Sequence, residues 1–331
     1  MSEFSLFGKD IFGQPRELPG GALHKRFIWP PFSVLDTKSG LWQARKKAWL
    51  RLGIQSELGR EGDLIHRGEN YRPNWEPYQG GHPAWGGKGS SVFDPVLCEL
   101  AYTWFCPKGG KILDPFAGGS VRGVVASLLG YRYVGIELRK EQVRANEAQK
   151  HIAGRVKPRW IVGDSTNVKE LAPGEYDFLF SCPPYYDLEV YSSEPGELSA
   201  MKTYEEFLAG YRRIIGNCVE LLKNNRFACF VVSDVRNNNK GKEGRYRGLV
   251  ADTVKIFQCC GMDLYNEAVL IHPSGSLSIR VGKQFESSRK LGRMHQSVLI
   301  FVKGSPRKAT EAVAGETKEG KKEEDNENEN Q

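Results

Sequence analysis

Lys111-Ile112-Leu113-Asp114-Pro115-Phe116-Ala117-Gly118-Gly119-Ser120 is the stretch that sets the reading of the whole chain. A short apolar run ends in a carboxylate and two adjacent glycines. The sequence SVRGVVASLLG that follows has helical spacing and is closed by Gly130. The stretch therefore predicts a strand delivered into a glycine-rich turn and then a helix. Glycines in such a turn let a backbone approach a ligand closely, and the first helical turn offers unpaired N–H groups.

Working outward, YRYVGIEL predicts a second strand, and RKEQVRANEAQKHIA a helix rich in good helix formers. RWIVGDS predicts a third strand, and YDFLFSCPPYY a fourth that runs into a Pro-Pro loop. TYEEFLAGYRRIIGNCVELLK has the pattern of a long amphipathic helix, RFACFVVSDVR of a fifth strand, and GLVADTVKIFQCCG of a helix. Upstream, FDPVLCELAYTWF predicts a helix. Near the end, DLYNEAVLIH and HQSVLIFVK predict two strands joined by a long polar loop. Strands alternating with helices imply an α/β fold: a doubly wound, mostly parallel sheet of about seven strands. With no helix between them, one of the last two strands is expected to be antiparallel.

The chain divides by composition into an irregular N-terminal extension over 1–91, a regular domain over 92–304 and a charged tail over 305–331. The extension is rich in Trp, Gly, Pro and Arg. One helix is expected there, over SGLWQARKKAWLRLGI, because Leu41, Trp42, Arg45, Trp49 and Leu50 fall at helical spacing and Ser39 can cap it. From Tyr71 to Ser91, Gly and Pro are too frequent for regular structure. The tail carries five Lys/Arg against eight Asp/Glu and few apolar side chains, so it is expected to be disordered. The whole chain has a formal charge of +7, which leaves the body before the tail at +10 and suits a polyanionic partner. No apolar run reaches the roughly 18 residues a membrane span needs. The N-terminus lacks the pattern of a secretory signal, so a cytoplasmic protein is expected. Seven scattered cysteines, none at zinc spacing, read as reduced thiols with no metal site.

Ligands of open α/β sheets bind at the carboxyl ends of the strands. Three of the expected strand ends here carry suitable groups: the Asp114–Ser120 turn, Glu137 roughly 20 residues further on, and Gly163-Asp164-Ser165. A carboxylate in the place of Glu137 meets ribose hydroxyls. One in the place of Asp164 can accept from an adenine amino group. Nicotinamide cofactors expect G-x-G-x-x-G, a spacing that AGGSVRG does not supply.

DPFAGGS followed by GIEL, GDS and SCPPYY resembles the Rossmann-like S-adenosylmethionine-dependent methyltransferases that modify the exocyclic amino groups of DNA bases, adenine N6 or cytosine N4. The resemblance covers about Val92 to Lys303. It implies that Asp114, Pro115, Phe116, Ala117 and Gly118 wrap the methionine part of S-adenosylmethionine. It also implies that Glu137 holds the ribose, Asp164 contacts the adenine, and Phe93 in Phe93-Asp94-Pro95 closes over the methionine end. The catalytic set it implies is Ser181, Cys182, Pro183, Pro184 and Tyr185. An exocyclic amino nitrogen is a poor nucleophile because its lone pair is delocalised into the ring. A proline-turn carbonyl can accept one amino hydrogen, and an aromatic after the prolines can stack on a base swung out of its helix.

The residue before the first proline is usually Asp, Asn or Ser in that family. Here it is Cys182, a weak acceptor, with Ser181 or Asp187 as candidates to compensate. The choice between adenine and cytosine stays open. A Cys nucleophile attacking a ring carbon would be expected in Pro-Cys order, the reverse of what is found. The partner implied is double-stranded DNA with base flipping. The alternatives are an RNA base amino-methyltransferase, for instance on guanine N2, and a catalytically inactive nucleic-acid-binding protein on the same fold. Three basic segments are candidates for reading the nucleic acid. They are the loop after the sixth expected strand (Arg280, Lys283, Arg289, Lys290, Arg293), the N-terminal helix (Arg45, Lys46, Lys47, Arg51) and NNNKGKEGRYRG.

Overall fold

The computed structural model describes residues 20–55, 93–186, 196–237, 244–275 and 277–315, with Leu6 and the two-residue strands at 65–66 and 189–190. The described part of the N-terminal segment holds α1 (Ala22–Phe27), β1 (Val34–Asp36), α2 (Gly40–Leu50) and β2 (Ile65–His66). Next come α3 (Pro95–Phe105), β3 (Lys111–Asp114), α4 (Val121–Leu128), β4 (Arg132–Glu137), α5 (Lys140–Ala148), β5 (Arg159–Val162) and α6 (Val168–Leu171). The second half holds β6 (Tyr176–Ser181), β7 (Glu189–Val190), α7 (Tyr204–Leu221), β8 (Leu222–Val232), α8 (Leu249–Cys259), β9 (Asp263–Ile271), α9 (Leu277–Ser288), β10 (His295–Lys303) and α10 (Pro306–Ala314).

Eight strands form one sheet in the order β1-β9-β10-β8-β6-β3-β4-β5. Only β10 runs antiparallel to its neighbours, β8 and β9. The chain builds β3, β4 and β5 toward one edge and then returns to place β6 on the other flank of β3. That reversal is the topological switch point at which such sheets bind ligands. Outside the sheet, β2 and β7 form a separate antiparallel pair.

The sheet is sandwiched because its side chains alternate between two cores. On β8, Phe227, Cys229 and Val231 face one side, and Ala228, Phe230 and Val232 the other. On β10, Val298, Ile300 and Val302 oppose Leu299 and Phe301 in the same way. A strand buried on both faces reads as a continuous apolar run, which is what the central strands show. Helices α2, α3, α4, α5 and α10 cover the first face, and α6, α7 and α8 the second. Local signals place the helix starts. Asp94 caps α3 through Val96 N–H with Pro95 in the first turn, and Thr203 with Glu206 forms a reciprocal capping box on α7. No described helix is long and apolar enough to cross a membrane.

Three sequence expectations are corrected. The N-terminal segment is not irregular throughout and adds an eighth strand to the seven expected: Val34–Asp36 pairs parallel with Val269–Ile271, and Thr37 Oγ1 donates to Ile271 O at 2.7 Å. Three residues are too short for a period to show. The connection between β9 and β10 is not simply a polar loop, since it contains α9. Its serines and glycines mask a weak inward stripe of Leu277, Val281 and Gln284. The segment from 305 does not begin as disorder. Ser305 caps α10, Pro306 opens it, Ala309 is fully buried and Val313 packs on the first core. The residues after Gly315 lie outside the described residues, as does the stretch from Tyr71 to Ser91.

Helix α2 is where the sequence expects it, but it faces inward. Trp42 and Trp49 are fully buried, and Ser39 sits at the N-cap without a side-chain bond. Arg45 forms a bidentate pair with buried Glu99 at 2.5 and 2.6 Å, and Lys46 pairs with Asp94 at 3.1 Å. Trp42 and Trp49 donate their indole N–H groups to Asp94 and Glu99. Arg45 and Lys46, expected as phosphate contacts, are thus engaged in holding the N-terminal segment onto α3. Lys47 and Arg51 remain on the surface.

Ending the chain at Gly304 should remove the apolar face of α10 and uncover the first core. A loss of at least about 2 kcal/mol is expected, or roughly 4 °C or more in Tm by thermal denaturation. Ending it at Gly315 should leave Tm nearly unchanged.

Candidate functional site

At the carboxyl end of β3, the Asp114 carboxylate is completely buried and completely paired. Oδ2 accepts from Arg122 Nε at 2.6 Å and from the Tyr133 hydroxyl at 2.6 Å. Oδ1 accepts from Ser181 Oγ at 2.5 Å and from Phe116 N–H at 3.1 Å. Four donors fill the four acceptor positions of a carboxylate, so nothing remains for a ligand. Burial alone would lower the Arg122 pKa, but the Asp114 charge, with smaller contributions from Tyr133, Cys182 and Cys98, more than offsets it and the guanidinium is held ionised. Burial and the same carboxylate push the Tyr133 phenol well up, so it stays a donor. One side chain thereby joins β3, β4, β6 and α4. Arg122 also donates to Phe116 O and lies 4.8 Å from the Phe93 ring centre, which shapes the loop over residues 115–119.

That loop is pinned from three more directions. Ala117 N–H donates to Ile136 O at 2.9 Å, Asn146 Nδ2 to Gly118 O at 2.7 Å, and Ser165 Oγ to Pro115 O at 2.5 Å. Gly118 turns through φ 52°, a conformation that glycine adopts without strain. At the start of α4, Ser120 Oγ is buried with no partner, next to free N–H groups. An orphaned hydroxyl at a helix N-terminus fits a carboxylate such as that of the methionine part of S-adenosylmethionine.

Glu137, at the end of β4, accepts from Gly118 N–H at 2.9 Å and Arg139 N–H at 3.0 Å. Burial nevertheless lifts its carboxyl above the usual glutamate range, and nearby Glu197 adds to this against those two N–H bonds. Such a group gains most from donors like ribose hydroxyls. At the end of β5, Asp164 uses Oδ1 on Thr166 N–H at 2.8 Å. Gly196 passes over its other oxygen with φ 91°, where an added Cβ would lie 2.5 Å from Oδ2. Asp164, Gly196 and Glu197 therefore converge beside Glu137. The donor set fits S-adenosylmethionine along β3, β4 and β5.

Next to β3, β6 ends at Ser181 and enters the Cys182-Pro183-Pro184-Tyr185 turn. Ser181 is fully buried and its hydroxyl donates to Asp114, which leaves the oxygen's lone pairs unspent but turned into the interior. Asp187, the other candidate to compensate for Cys182, lies outside the described residues. The two tyrosines after the prolines divide the work. Tyr186 is buried at φ 53°, donates to Lys202 O and packs edge-on against Tyr204 and Phe207. Tyr185 is half-buried, and its hydroxyl lies 3.5 Å from Cys182 Sγ. Gln296 on β10 donates to that hydroxyl at 2.6 Å, and His272 at the end of β9 bonds Gln296 Oε1 at 2.8 Å. Burial lowers the His272 pKa, so the ring is neutral at pH 7.

The structure thus brings Phe93, the 114–118 loop, Glu137, Asp164 and the 181–185 turn to one edge of the sheet. It bonds the buried Asp114 and Ser181 side chains to each other. Sequence reading missed Arg122, Gly196, Glu197 and Gln296, and named Ser120 only as the end of the Asp114–Ser120 turn.

Residues 176–331, from the start of β6 onward, match the sequence model of a family described as DNA methylase. A tRNA (guanine(10)-N2)-dimethyltransferase of Pyrococcus abyssi (strain GE5 / Orsay) is 27% identical over 168 residues, which is 50% of this chain and 46% of that protein. The Type II methyltransferase M.SmaI of Serratia marcescens is 41% identical over 79 residues, 24% of this chain and 25% of its own. The chain therefore spans about half or less of the length of the curated relatives it matches. Among solved structures, TrmN from Thermus thermophilus aligns over 64% of this chain and 49% of its own, with a TM-score of 0.43 and 13% identity. The strand order is that of an open, doubly wound α/β sheet, and its strand-end groups fit S-adenosylmethionine. Within that fold, residues 176–331 carry the sequence pattern of the DNA methylase family.

Asp114→Ala would leave the Arg122 charge buried and unpaired, at a cost of about 3–5 kcal/mol in urea denaturation. A loss confined to cofactor affinity, with stability intact, would contradict the architectural role. Because the Glu137 carboxyl is raised, it protonates at a higher pH than an ordinary glutamate and then accepts one hydrogen bond fewer. Calorimetric affinity for S-adenosylmethionine should therefore fall on acidification, starting above the ordinary glutamate range. Glu137→Gln should weaken binding at neutral pH by about 1.5–3 kcal/mol and flatten that pH dependence.

Proposed function

We propose that this protein transfers a methyl group from S-adenosylmethionine to the exocyclic amino group of adenine or cytosine in DNA, with residues 92–304 as the catalytic domain. The observation that carries the reading is the Cys182-Pro183-Pro184-Tyr185 turn, which leaves β6 directly beside the glycine-rich loop that follows β3. The match of residues 176–331 to the DNA methylase family and the likeness to M.SmaI support DNA as the substrate.

S-adenosylmethionine supplies an electrophilic methyl group on a sulfonium. Of the chain's own groups, Glu137 would take the ribose hydroxyls and Asp164 Oδ2 the adenine amino group. Ser120 and the start of α4 would meet the carboxylate. The proline turn presents carbonyl oxygens without competing N–H groups, so it can accept an amino hydrogen and shift lone-pair density back to the nitrogen. With Ser181 fully buried, that acceptance rests first on backbone carbonyls and the weak acceptor Cys182. Tyr185 offers a ring face for the flipped base, and the Gln296 bond fixes its tilt. Rate enhancement comes mainly from holding nitrogen and methyl in line.

The tRNA-modifying relative supports a second reading, methylation of an RNA base amino group. Transfer of label from tritiated S-adenosylmethionine to duplex DNA and to total RNA distinguishes the two. Label in neither would leave a binding protein that retained the fold. Tyr185→Ala should lower kcat/KM on DNA roughly 5- to 150-fold, the equivalent of about 1–3 kcal/mol of stacking, with cofactor binding retained. Tyr185→Phe keeps the ring and should lose less. Cys182→Ser should retain or raise activity, because a hydroxyl is the better acceptor. Nucleoside digestion should return an amino-methylated adenine or cytosine. Recovery of 5-methylcytosine would overturn the scheme.

A further inference from the structure

Read from β5 across the sheet, the carboxyl edge has a fixed order. The cofactor groups lie on β5, β4 and β3, and the proline turn on β6. Then come β8 and, beyond it, the neighbouring ends of β10 and β9. A methyl acceptor must therefore reach the proline turn from the β8, β10 and β9 side. That side carries an insert at 272–294 that neither the sheet nor the cofactor site requires, because β9 and β10 pair directly with each other. The insert is closed at its base by His272 N–H donating to Met294 O at 2.8 Å. It is joined to the site by the His272–Gln296–Tyr185 bonds.

The surface of the insert has an unusual composition. Arg280, Lys283, Arg289, Lys290 and Arg293 face a single acid, Glu286. Among the described residues, Arg280 and Lys283 enter no ion pair, and both are exposed. Leu277, Val281 and Gln284 turn α9 toward the body, which leaves Ile279 and Lys283, one turn apart, on the outward face. Ile279 is 85% exposed and is followed by Arg280 and Lys283, and Leu291 is 69% exposed between Lys290 and Arg293. A solvated polar helix has no use for an isoleucine at its crest. An element that enters a base stack does, since apolar wedges of this kind separate base steps while cations hold the phosphates.

The geometry points to the 272–294 insert as the element that engages duplex DNA, with Arg280 and Lys283 on the phosphates and Ile279 occupying the space vacated by the flipped base. This deepens the proposed function and rests on it. A helix about 10–12 Å across matches the roughly 12 Å major groove of B-form DNA, whereas the A-form groove of duplex RNA is too narrow for side chains to read. The Tyr246 ring, with Arg236 and Arg293 at 3.9 and 5.8 Å from its centre, links the insert to the loop after β8 and extends the basic rim toward the proline turn.

The test uses the full chain and mixed-sequence 30-base-pair duplexes of DNA and of RNA, with fluorescence anisotropy read across a salt series. Arg280→Ala with Lys283→Ala should weaken DNA binding about tenfold or more and reduce the salt slope by about 2. S-adenosylmethionine binding by calorimetry should be unchanged and serves as the check on folding. Ile279→Ala should bind DNA within a few-fold of the wild type but methylate plasmid DNA about tenfold more slowly. On the same DNA heat-denatured to single strands the deficit should vanish, because no base pair then has to open. An equal deficit on both forms, or none on either, would overturn the wedge. Unchanged DNA affinity in the double variant, or tighter binding to the RNA duplex, would overturn the surface. Should the wild type place no methyl groups on any DNA, the proposed function falls, and the anisotropy measurements still decide whether this surface binds DNA.

Discussion

Everything at this site depends on the Asp114–Arg122 pair. A buried carboxylate and a buried guanidinium are each costly to take out of water, and they are tolerable only when every remaining bond is made. Here each is. Arg122 uses Nη2 on Phe116 O, and Asp114 accepts from Tyr133, Ser181 and Phe116 as well. The bonds come from β3, β4, β6 and α4, so the switch point of the sheet is locked by a single ionic centre. The glycine-rich loop takes its path from that lock, and the proline turn takes its starting direction from Ser181.

With those two loops fixed, the rest of the site follows from the strand order. Glu137 and Asp164 sit at successive strand ends because β4 and β5 run parallel to β3 in register. Gly196 and Glu197 close over them from the other half of the chain, where a side chain at 196 would collide with Asp164. On the opposite flank the antiparallel β10 brings Gln296 to Tyr185, so the stacking ring is held by a residue 111 positions away. The cofactor side is thus built from consecutive units, and the acceptor side from distant ones.

The described part of the N-terminal segment is built into this architecture. Glu99 binds Arg45 and Trp49, Asp94 binds Trp42 and Lys46, and β1 extends the sheet beyond β9. Tryptophans and arginines close together in a sequence suit a nucleic-acid surface and a tightly bonded helix interface equally well. Burial separates the two, and Trp42 and Trp49 are fully buried. A further group of exposed basic side chains, Arg280, Lys283 and Arg289, lies on α9 and just after it.

The sequence by itself determined the alternation of strands and helices, the glycine-rich turn, the positions of Glu137 and Asp164 and the proline turn. Each of these is a local pattern: apolar periodicity, a glycine at a positive φ, or a carboxylate at a strand end. The tertiary structure alone decided which polar groups are left over for a ligand. Asp114 and Ser181 have the residue types of site groups, yet they spend their bonds on each other and on Arg122. Ser120 looks like a simple helix cap and is left without a partner. Tyr185 and Tyr186 are identical in type and adjacent, and only the turn at Tyr186 puts one in the core and the other at the site. The reason is physical: a hydrogen-bonding group is defined by its residue type, but whether it is free depends on every neighbour that folding brings within 3 Å.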